Sequence, residues 1–343
     1  MARIILIVLL ILSFIANLFI GSLDIPFSHV ADILTGQADY SSAESYIILE
    51  SRLPSAIEAL LAGSSLAVAG LLMQTTFRNP LAGPSIMGIN SGASLGVAIV
   101  MLFLGGTVTG GGLQLGGELA VIAGALAGSL GVIAILLFLS IFIKNDLMLL
   151  IVGILIGYLT SSLIMLLNFG ASSQGVQSYV LWGMGSYQGI PMSRIPVMAI
   201  LTGLGLFLSI LLVKPLDALL LGDEYALSLG VDIRRVKRLL LISTGILAAT
   251  ATAFCGPIMF IGLAVPHISR MIVRSDIHRK LLPATILTGA VISLLCNLLC
   301  IVPSTGIIPF FKSPIQLPLN VVTPLFGVPV ILYVIFKGRR ISE

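Results

Sequence analysis

Uncharged apolar runs long enough to cross a bilayer recur along this chain, at Ile4 to Leu23, Ala59 to Phe77, Leu119 to Ile143 and Ile195 to Val213. A helix needs roughly 18 or more such residues to span the hydrocarbon layer. Composition agrees, since 57% of the 343 residues are hydrophobic and 9% are charged, against about a quarter charged in an ordinary soluble domain. A water-soluble fold of this length would have almost no charged surface, so the chain reads as an all-α, polytopic integral membrane protein.

The first run is followed by Asp24-Ile25-Pro26 instead of a small-residue cleavage site, so it reads as a retained helix and not a signal peptide. Cys255, Cys296 and Cys300 all fall in apolar segments and suggest neither a disulfide framework nor a zinc ribbon. Cys296 and Cys300 share one helix face, but that helix holds no histidine and a closed metal site usually has four ligands. The formal charge of +4 sits in short loops between apolar spans, where it sets topology; no nucleic acid is implied.

Breaks at charged or Gly/Pro-rich joints predict ten helices, near 4–23, 56–77, 86–104, 119–143, 147–169, 195–213, 236–255, 257–269, 282–302 and 319–336. The eighth has 13 residues, about 20 Å of helix against a core of about 30 Å. Charge parity decides that it crosses. With ten crossings and both termini cytoplasmic, 15 of the 18 Lys and Arg residues face the cytoplasm, leaving Arg52, Arg194 and Lys312 outside, as the positive-inside rule requires. A non-crossing eighth segment would put the basic C-terminal cluster outside.

Gly83-Pro84 and Gly256-Pro257 each open a segment after a long helix, at mirrored depths, which hints at an inverted repeat; such pairs also simply punctuate helices. Small residues at four-residue spacing, Gly92/Gly96, Gly124/Gly128 and Gly153/Gly157, let helix backbones approach closely. The helices lack the mid-bilayer carboxylates and bases common in ion-coupled carriers. Glu58 and Glu118 are expected at solvated outer helix ends.

The stretch 216–230, LDALLLGDEYALSLG, is too short and too interrupted to span. Gly222 divides it, Asp223 and Glu224 suit the first turn of a helix, and Gly230 suits a left-handed stop. Two short helices on the cytoplasmic face follow. Their apolar residues Leu219, Leu220, Tyr225, Leu227 and Leu229 need cover, from lipid or from protein. A lipid anchor would carry Lys or Arg at its polar positions; this one carries Asp217, Asp223 and Glu224, which favours a protein partner.

Several motifs occur in order: Arg52-Leu53-Pro54, Met73-Gln74, Phe77 to Pro84 (FRNPLAGP), Gly88 to Ala93 (GINSGA), the elbow Gly222 to Val231, Gly256 to Arg270 (GPIMFIGLAVPHISR) and Leu317 to Thr323 (LPLNVVT). On these, nearly the whole chain resembles the FecCD-type, or type II, permeases of ATP-binding cassette importers for iron-siderophore, haem and cobalamin. The resemblance implies a single permease domain over residues 1–343, in a multi-pass protein of the bacterial cytoplasmic membrane. It implies a homodimer surrounded by membrane lipid, two cytoplasmic ATPase subunits, and a soluble substrate-binding protein. The chain would hold no cofactor or metal and hydrolyse nothing; it has no Walker-type phosphate loop.

By the same resemblance the elbow, 216–230, becomes the pair of coupling helices. Leu219, Leu220, Gly222, Asp223, Glu224, Tyr225, Leu227, Leu229 and Gly230 then contact the ATPase. The inner gate falls at Asn79, Pro80 and Leu81 and at Asn145 and Asp146, although Lys144-Asn145-Asp146-Leu147 is more charged than the small hydroxyl residues associated with cobalamin transport. Arg52 matches an outer arginine that receives a carboxylate of the binding protein. Ser55, Asn297 and Ile301 depart from the other docking positions, and Lys312 is a possible substitute. His267, in the Val-Pro-His pattern, is expected to make a structural hydrogen bond. Tyr179, Trp182 and Tyr187 either anchor at the membrane surface or line the outer mouth of a pathway. Nothing in the sequence separates ferric siderophore from haem or cobalamin.

Overall fold

A computed structural model describes residues 2–36, 42–105, 107–110, 113–143, 145–305 and 316–342. Its helices are α1 (Ala2–Phe19), α2 (Phe27–Leu34), α3 (Ala43–Ile47), α4 (Leu53–Thr76), α5 (Ile89–Ala98), α6 (Glu118–Phe142), α7 (Asp146–Gly170) and α8 (Ser173–Gly183). The chain continues through α9 (Ile195–Leu211), α10 (Val213–Leu220), α11 (Asp223–Ser228), α12 (Ile233–Cys255), α13 (Ile261–Val273), α14 (His278–Ile301) and α15 (Leu319–Ser342). The only strands among the described residues, β1 (Thr107–Gly110) and β2 (Leu113–Gly116), form an antiparallel hairpin between α5 and α6, with Thr107 opposite Gly116.

Among the described residues six helical stretches are long and apolar enough to cross a membrane: 43–76, 118–142, 147–170, 192–211, 233–255 and 278–305. Four shorter apolar helices lie at 3–19, 89–103, 261–273 and 319–334. Each predicted span falls on one of these. The boundaries shift at the Gly-Pro pairs, since α5 begins at Ile89 and α13 at Ile261. Residues 83–88 and 256–260 are therefore turns and extended chain that precede their helices.

Helix α4 runs through the middle of the bundle, and the reason is in its sequence. Ala59, Ala62, Gly63, Ser64, Ser65, Ala67, Ala69 and Gly70 put small residues on every face, so neighbours can close in from all sides. Gly63 meets the backbone of Gly289 on α14, and Gly70 meets that of Gly262 on α13. The hydroxyl of Ser64 adds a bond to the Ile286 carbonyl at 3.2 Å. Two predicted glycine pairs zip together within this chain, Gly92 against Gly128 and Gly96 against Gly124, joining α5 to α6. Gly153 packs on the backbone of Met87.

The buried side chains fall into two main groups along the bundle. One, around Leu72, Met73, Leu216, Leu219 and Leu240, lies at the elbow end. The other, around Leu66, Ala93, Tyr187, Phe254 and Leu294, lies toward the opposite end. Helices α4 and α12 are mostly enclosed, whereas α6, α7 and α9 turn most of their apolar residues outward. In water that surface would be untenable; in a bilayer it is the expected exterior.

Candidate functional site

The predicted pair of short helices exists. Helix α10 follows α9 almost without a break and α11 follows at Gly222, whose φ of +114° only glycine adopts readily. Helix α11 ends in a Schellman motif: the Val231 N–H donates to the Ala226 carbonyl at 3.0 Å and the Gly230 N–H to that of Leu227 at 2.9 Å, with Gly230 at φ +80°. Leu220, Leu221, Tyr225, Leu227 and Leu229 are all exposed.

One elbow residue is corrected. Leu219 is buried in the core, not exposed, and Leu221 takes its place on the open surface at 63% exposure. The helix starts at Val213, earlier than the sequence reading assumed, so Leu212, Leu216 and Leu219 form the inward stripe at i, i+4 and i+7. That spacing was the available signal.

Two of the elbow's three acidic residues, Asp217 and Asp223, turn toward the bundle. Asp223 pairs with Arg78, at the end of α4, and with the Lys237 ammonium at 3.0 Å. Asp217 Oδ1 accepts the backbone N–H of His278 at 2.7 Å and its ring Nδ1–H at 2.8 Å. On the other side of that ring, Nε2 lies 2.9 Å from the Thr75 hydroxyl. Glu224 keeps its place in the first turn of α11.

The same end of α4 collects further bonds. Arg270 Nη1 donates to Gln74 Oε1 at 2.6 Å, and Gln74 Nε2 donates to the Leu263 carbonyl at 3.1 Å. His267 Nε2–H donates to the Pro80 carbonyl at 2.8 Å, so this histidine makes a structural bond to the turn predicted as a gate. Within that turn, Asn79 Oδ1 accepts the Leu81 N–H at 2.9 Å, and Leu81 is exposed. In the other predicted gate segment, Asn145 caps α7 by accepting the N–H groups of Leu147 and Met148 at 2.9 and 3.4 Å. Asp146 begins α7; its side chain lies outside the described ones. Among the described residues no hydrogen bond joins the two segments.

Between the helices lies a cavity of about 540 Å³ lined by Asn90, Ser91, Ser94, Ser161, Tyr179, Met259 and Phe260, with Pro84 and Pro257 of both Gly-Pro segments. The 256–260 segment is clasped by Asn320, whose Nδ2 donates to the Pro257 carbonyl at 2.6 Å and whose Oδ1 accepts the Met259 N–H at 3.1 Å. Phe260 holds a φ of +68°, a strained setting for a bulky residue. Tyr179 stacks on Trp182, with centroids 6.3 Å apart. Trp182 borders a second cavity of about 460 Å³ with Glu118 and Phe254.

Several expectations for this end of the molecule are overturned. Tyr187 does not line a mouth; it is enclosed in the core with its hydroxyl donating to Ser293 Oγ at 3.1 Å. Glu58 is not at a solvated helix end but wholly buried, with the Cys255 thiol beside its carboxyl group. Arg52 is 7% exposed. Its Nη1 donates to the carbonyls of Leu18 and Phe19 at 3.0 and 2.9 Å, and its Nη2 to that of Leu23. A guanidinium with several donors suits the orphan carbonyls of a helix C-terminus, and this one closes the end of α1 in place of standing at a rim. Lys312 lies outside the described residues.

The FecCD transport family model matches residues 9–337. The hemin transport system permease protein of Yersinia pestis is 35% identical over 341 residues, 98% of this chain and 95% of its own length. The Fe(3+) dicitrate transport system permease protein of Escherichia coli is 33% identical, over 94% of each chain. A vitamin B12 import system permease protein of Citrobacter koseri is 30% identical over 88% of this chain and 86% of its own. Among solved structures, an inward-facing ABC transporter assigned to the metal-chelate type superposes with a TM-score of 0.81 at 27% identity, over 97% of each chain.

Proposed function

The chain belongs to the FecCD transport family, and from that premise we propose that it is the permease subunit of an ATP-binding cassette importer for a ferric chelate, either siderophore or haem. It is a multi-pass membrane protein of a transport family and is not itself a catalyst. On this reading the four shorter apolar helices cross beside the six long ones, giving ten spans with both termini and the elbow in the cytoplasm, which the positive-inside distribution of Lys and Arg supports. The membrane is the cytoplasmic one, and a second copy of the chain and lipid cover the outward faces of α6, α7 and α9.

The observation that carries this reading is the elbow. Its Leu220, Leu221, Tyr225, Leu227 and Leu229 are exposed, while Asp217 and Asp223 bind inward, to His278 of α14 and to Arg78 just after α4. A lipid anchor would ring such leucines with basic residues, whereas the exposed charges on the two elbow helices are mixed, Lys214 and Glu224. An ATPase subunit seated on the apolar surface, one per copy, supplies the missing cover. The turn Asn79–Leu81, together with Asn145 and Asp146, then forms the cytoplasmic gate, and the 540 Å³ cavity is part of the pathway, with Tyr179 and Trp182 toward its outer mouth. A soluble binding protein docks outside, with Lys312 among the outer cations proposed to meet its carboxylates.

The substrate assignment rests on the 35% identity with the hemin permease and the 33% identity with the ferric dicitrate permease. Cobalamin is the second reading, supported by the vitamin B12 relative. The test is uptake into proteoliposomes holding the permease and its ATPase subunits, with the binding protein outside and labelled haemin, ferric siderophore or cobalamin supplied in turn. ATP-dependent uptake of an iron chelate is expected. Uptake driven by an ion gradient without any ATPase would instead identify a secondary carrier.

A further inference from the structure

Among the contacts that bind the elbow to the bundle, one is centred on a buried imidazole and joins three elements in a line, with only its Asp217 end partly open, at 32% exposure. Asp217 of α10, His278 at the first turn of α14 and Thr75 at the last turn of α4 are linked through the two nitrogens of a single imidazole. His278 is 1% exposed and Thr75 4%. A carboxylate only accepts, so Nδ1 carries the proton toward Asp217 and Nε2 of the neutral ring is left as an acceptor for the Thr75 hydroxyl, whose one proton it shares with the Leu71 carbonyl at 3.0 Å. Asp217 also accepts the His278 backbone N–H, so a residue of the elbow supplies the cap that α14 lacks from its own chain neighbours.

A second, outer link runs in parallel. Arg78 follows α4 with a φ of +45°, a left-handed setting that a non-glycine residue keeps only when its surroundings hold it there. Backbone bonds from the Arg78 N–H to the Thr75 carbonyl and from the Asn79 N–H to that of Gln74 close the turn there, and the Arg78 side chain pairs with Asp223, the first residue of α11, which also pairs with Lys237. This pair is about half exposed and so contributes less than the buried one. Helices α4 and α14 are themselves locked by the contact of Gly63 with Gly289 and by the Ser64 bond to Ile286.

We infer that Thr75 and His278 are positioning residues that fix the gate-proximal end of α4 to the elbow, so that displacement of the elbow moves the 79–81 turn with it. This rests on the importer reading, because it needs an ATPase to move the elbow. Asp217 is held from one side and Thr75 from the other, and a rigid, fully paired imidazole transmits displacement in both directions. Without the Thr75 hydroxyl, Nε2 becomes a buried acceptor with no partner, and the α4 end of the linkage is released.

The test uses the full-length permease in complex with its ATPase subunits, with Leu81→Cys as a reporter, since Leu81 is exposed on the turn. Maleimide labelling is compared without nucleotide and after trapping with ATP and vanadate. In the parent the labelling rate should change by at least about fivefold, the lower end of coupling between linked sites. Thr75→Val should bring that ratio close to one while the complex assembles and hydrolyses ATP as before. Thr75→Ser, which restores the hydroxyl, should recover the parent ratio. A parent-like ratio in Thr75→Val overturns the linkage. Loss of assembly in both variants makes Thr75 merely structural and overturns it too. A parent that hydrolyses ATP but shows no change at position 81 overturns the coupling reading itself, and the linkage with it.

Discussion

The Nε2 atom of His267 lies 2.8 Å from the carbonyl oxygen of Pro80, so a single bond ties the short helix α13 to the turn that follows α4. Because a carbonyl can only accept, the imidazole must donate here. His267→Phe keeps a ring in the space but removes the donor, leaving a partly buried carbonyl unpaired at a cost of about 1–3 kcal/mol. The melting temperature of the detergent-solubilised protein should fall, and Leu81→Cys should label faster in the nucleotide-free state. Unchanged labelling would show that the turn is held by other contacts.

The glycine seams make a second prediction. A methyl at Gly70 would enter the backbone of Gly262, which cannot yield as a flexible side chain can, whereas a methyl at Gly203 meets nothing within 4 Å. Gly70→Ala should therefore destabilise by about 1–3 kcal/mol or prevent accumulation, as overpacking does. Gly203→Ala should stay within about 0.5 kcal/mol of the parent. Melting of the two variants in one detergent decides; equal stabilities would mean that α4 and α13 do not approach as closely as described.

Arg52 calls for a different experiment from the one its place in the sequence suggests. Its guanidinium donates to three carbonyls at and beyond the end of α1, so Arg52→Glu would set a carboxylate against acceptors only. A loss of about 3 kcal/mol or more is expected from the unpaired groups, with Arg52→Lys intermediate because it keeps the charge but has fewer donors. The loss should be read as a lower melting temperature that salt hardly changes, since buried pairs are poorly screened. If Arg52→Glu melted like the parent and lost only salt-sensitive association with the binding protein, the residue would be a docking charge after all.

The features legible in the sequence are those that depend on neighbours along the chain. Apolar run length located the helices, Gly222 and Gly230 marked the ends of α11, and four-residue glycine spacing marked close-packing faces, whose α5–α6 pairing only the structure gives. What could not be read depends on distant partners. The carbonyls that enclose Arg52 are 29 to 34 residues away, Asp217 finds His278 at a separation of 61, and Asp223 finds Arg78 at 145. No periodicity encodes such pairs. Asp217 and Asp223 therefore read as a polar helix face, although both are bound to the bundle. Tyr187 misled for a related reason, since an aromatic residue near a predicted surface resembles a belt anchor until its partner, Ser293 on a helix 106 residues later, is known.

The elbow's two short helices carry both surface and core leucines, and that contrast gives the last prediction. Leu229 is 64% exposed at the end of α11, whereas Leu219 is 2% exposed beneath α10. Leu229→Asp places a charge in water in the isolated permease, so it should fold and reach the membrane with a melting temperature close to that of the parent. In the complex the same charge would enter an apolar contact, where burying it without a partner is costly. Co-purification with the ATPase should therefore fall sharply. Leu219→Asp instead puts the charge into a core shared with Leu216 and Leu240 and should prevent stable folding before any partner is met. Expression level, melting temperature and ATPase recovery on the two variants separate the cases. If Leu229→Asp recovered the ATPase normally and supported normal uptake, the exposed leucines of the elbow would not be the seat of the ATPase. If Leu219→Asp folded normally and lost only the ATPase, the inward stripe of Leu212, Leu216 and Leu219 would face the partner, contrary to the arrangement described.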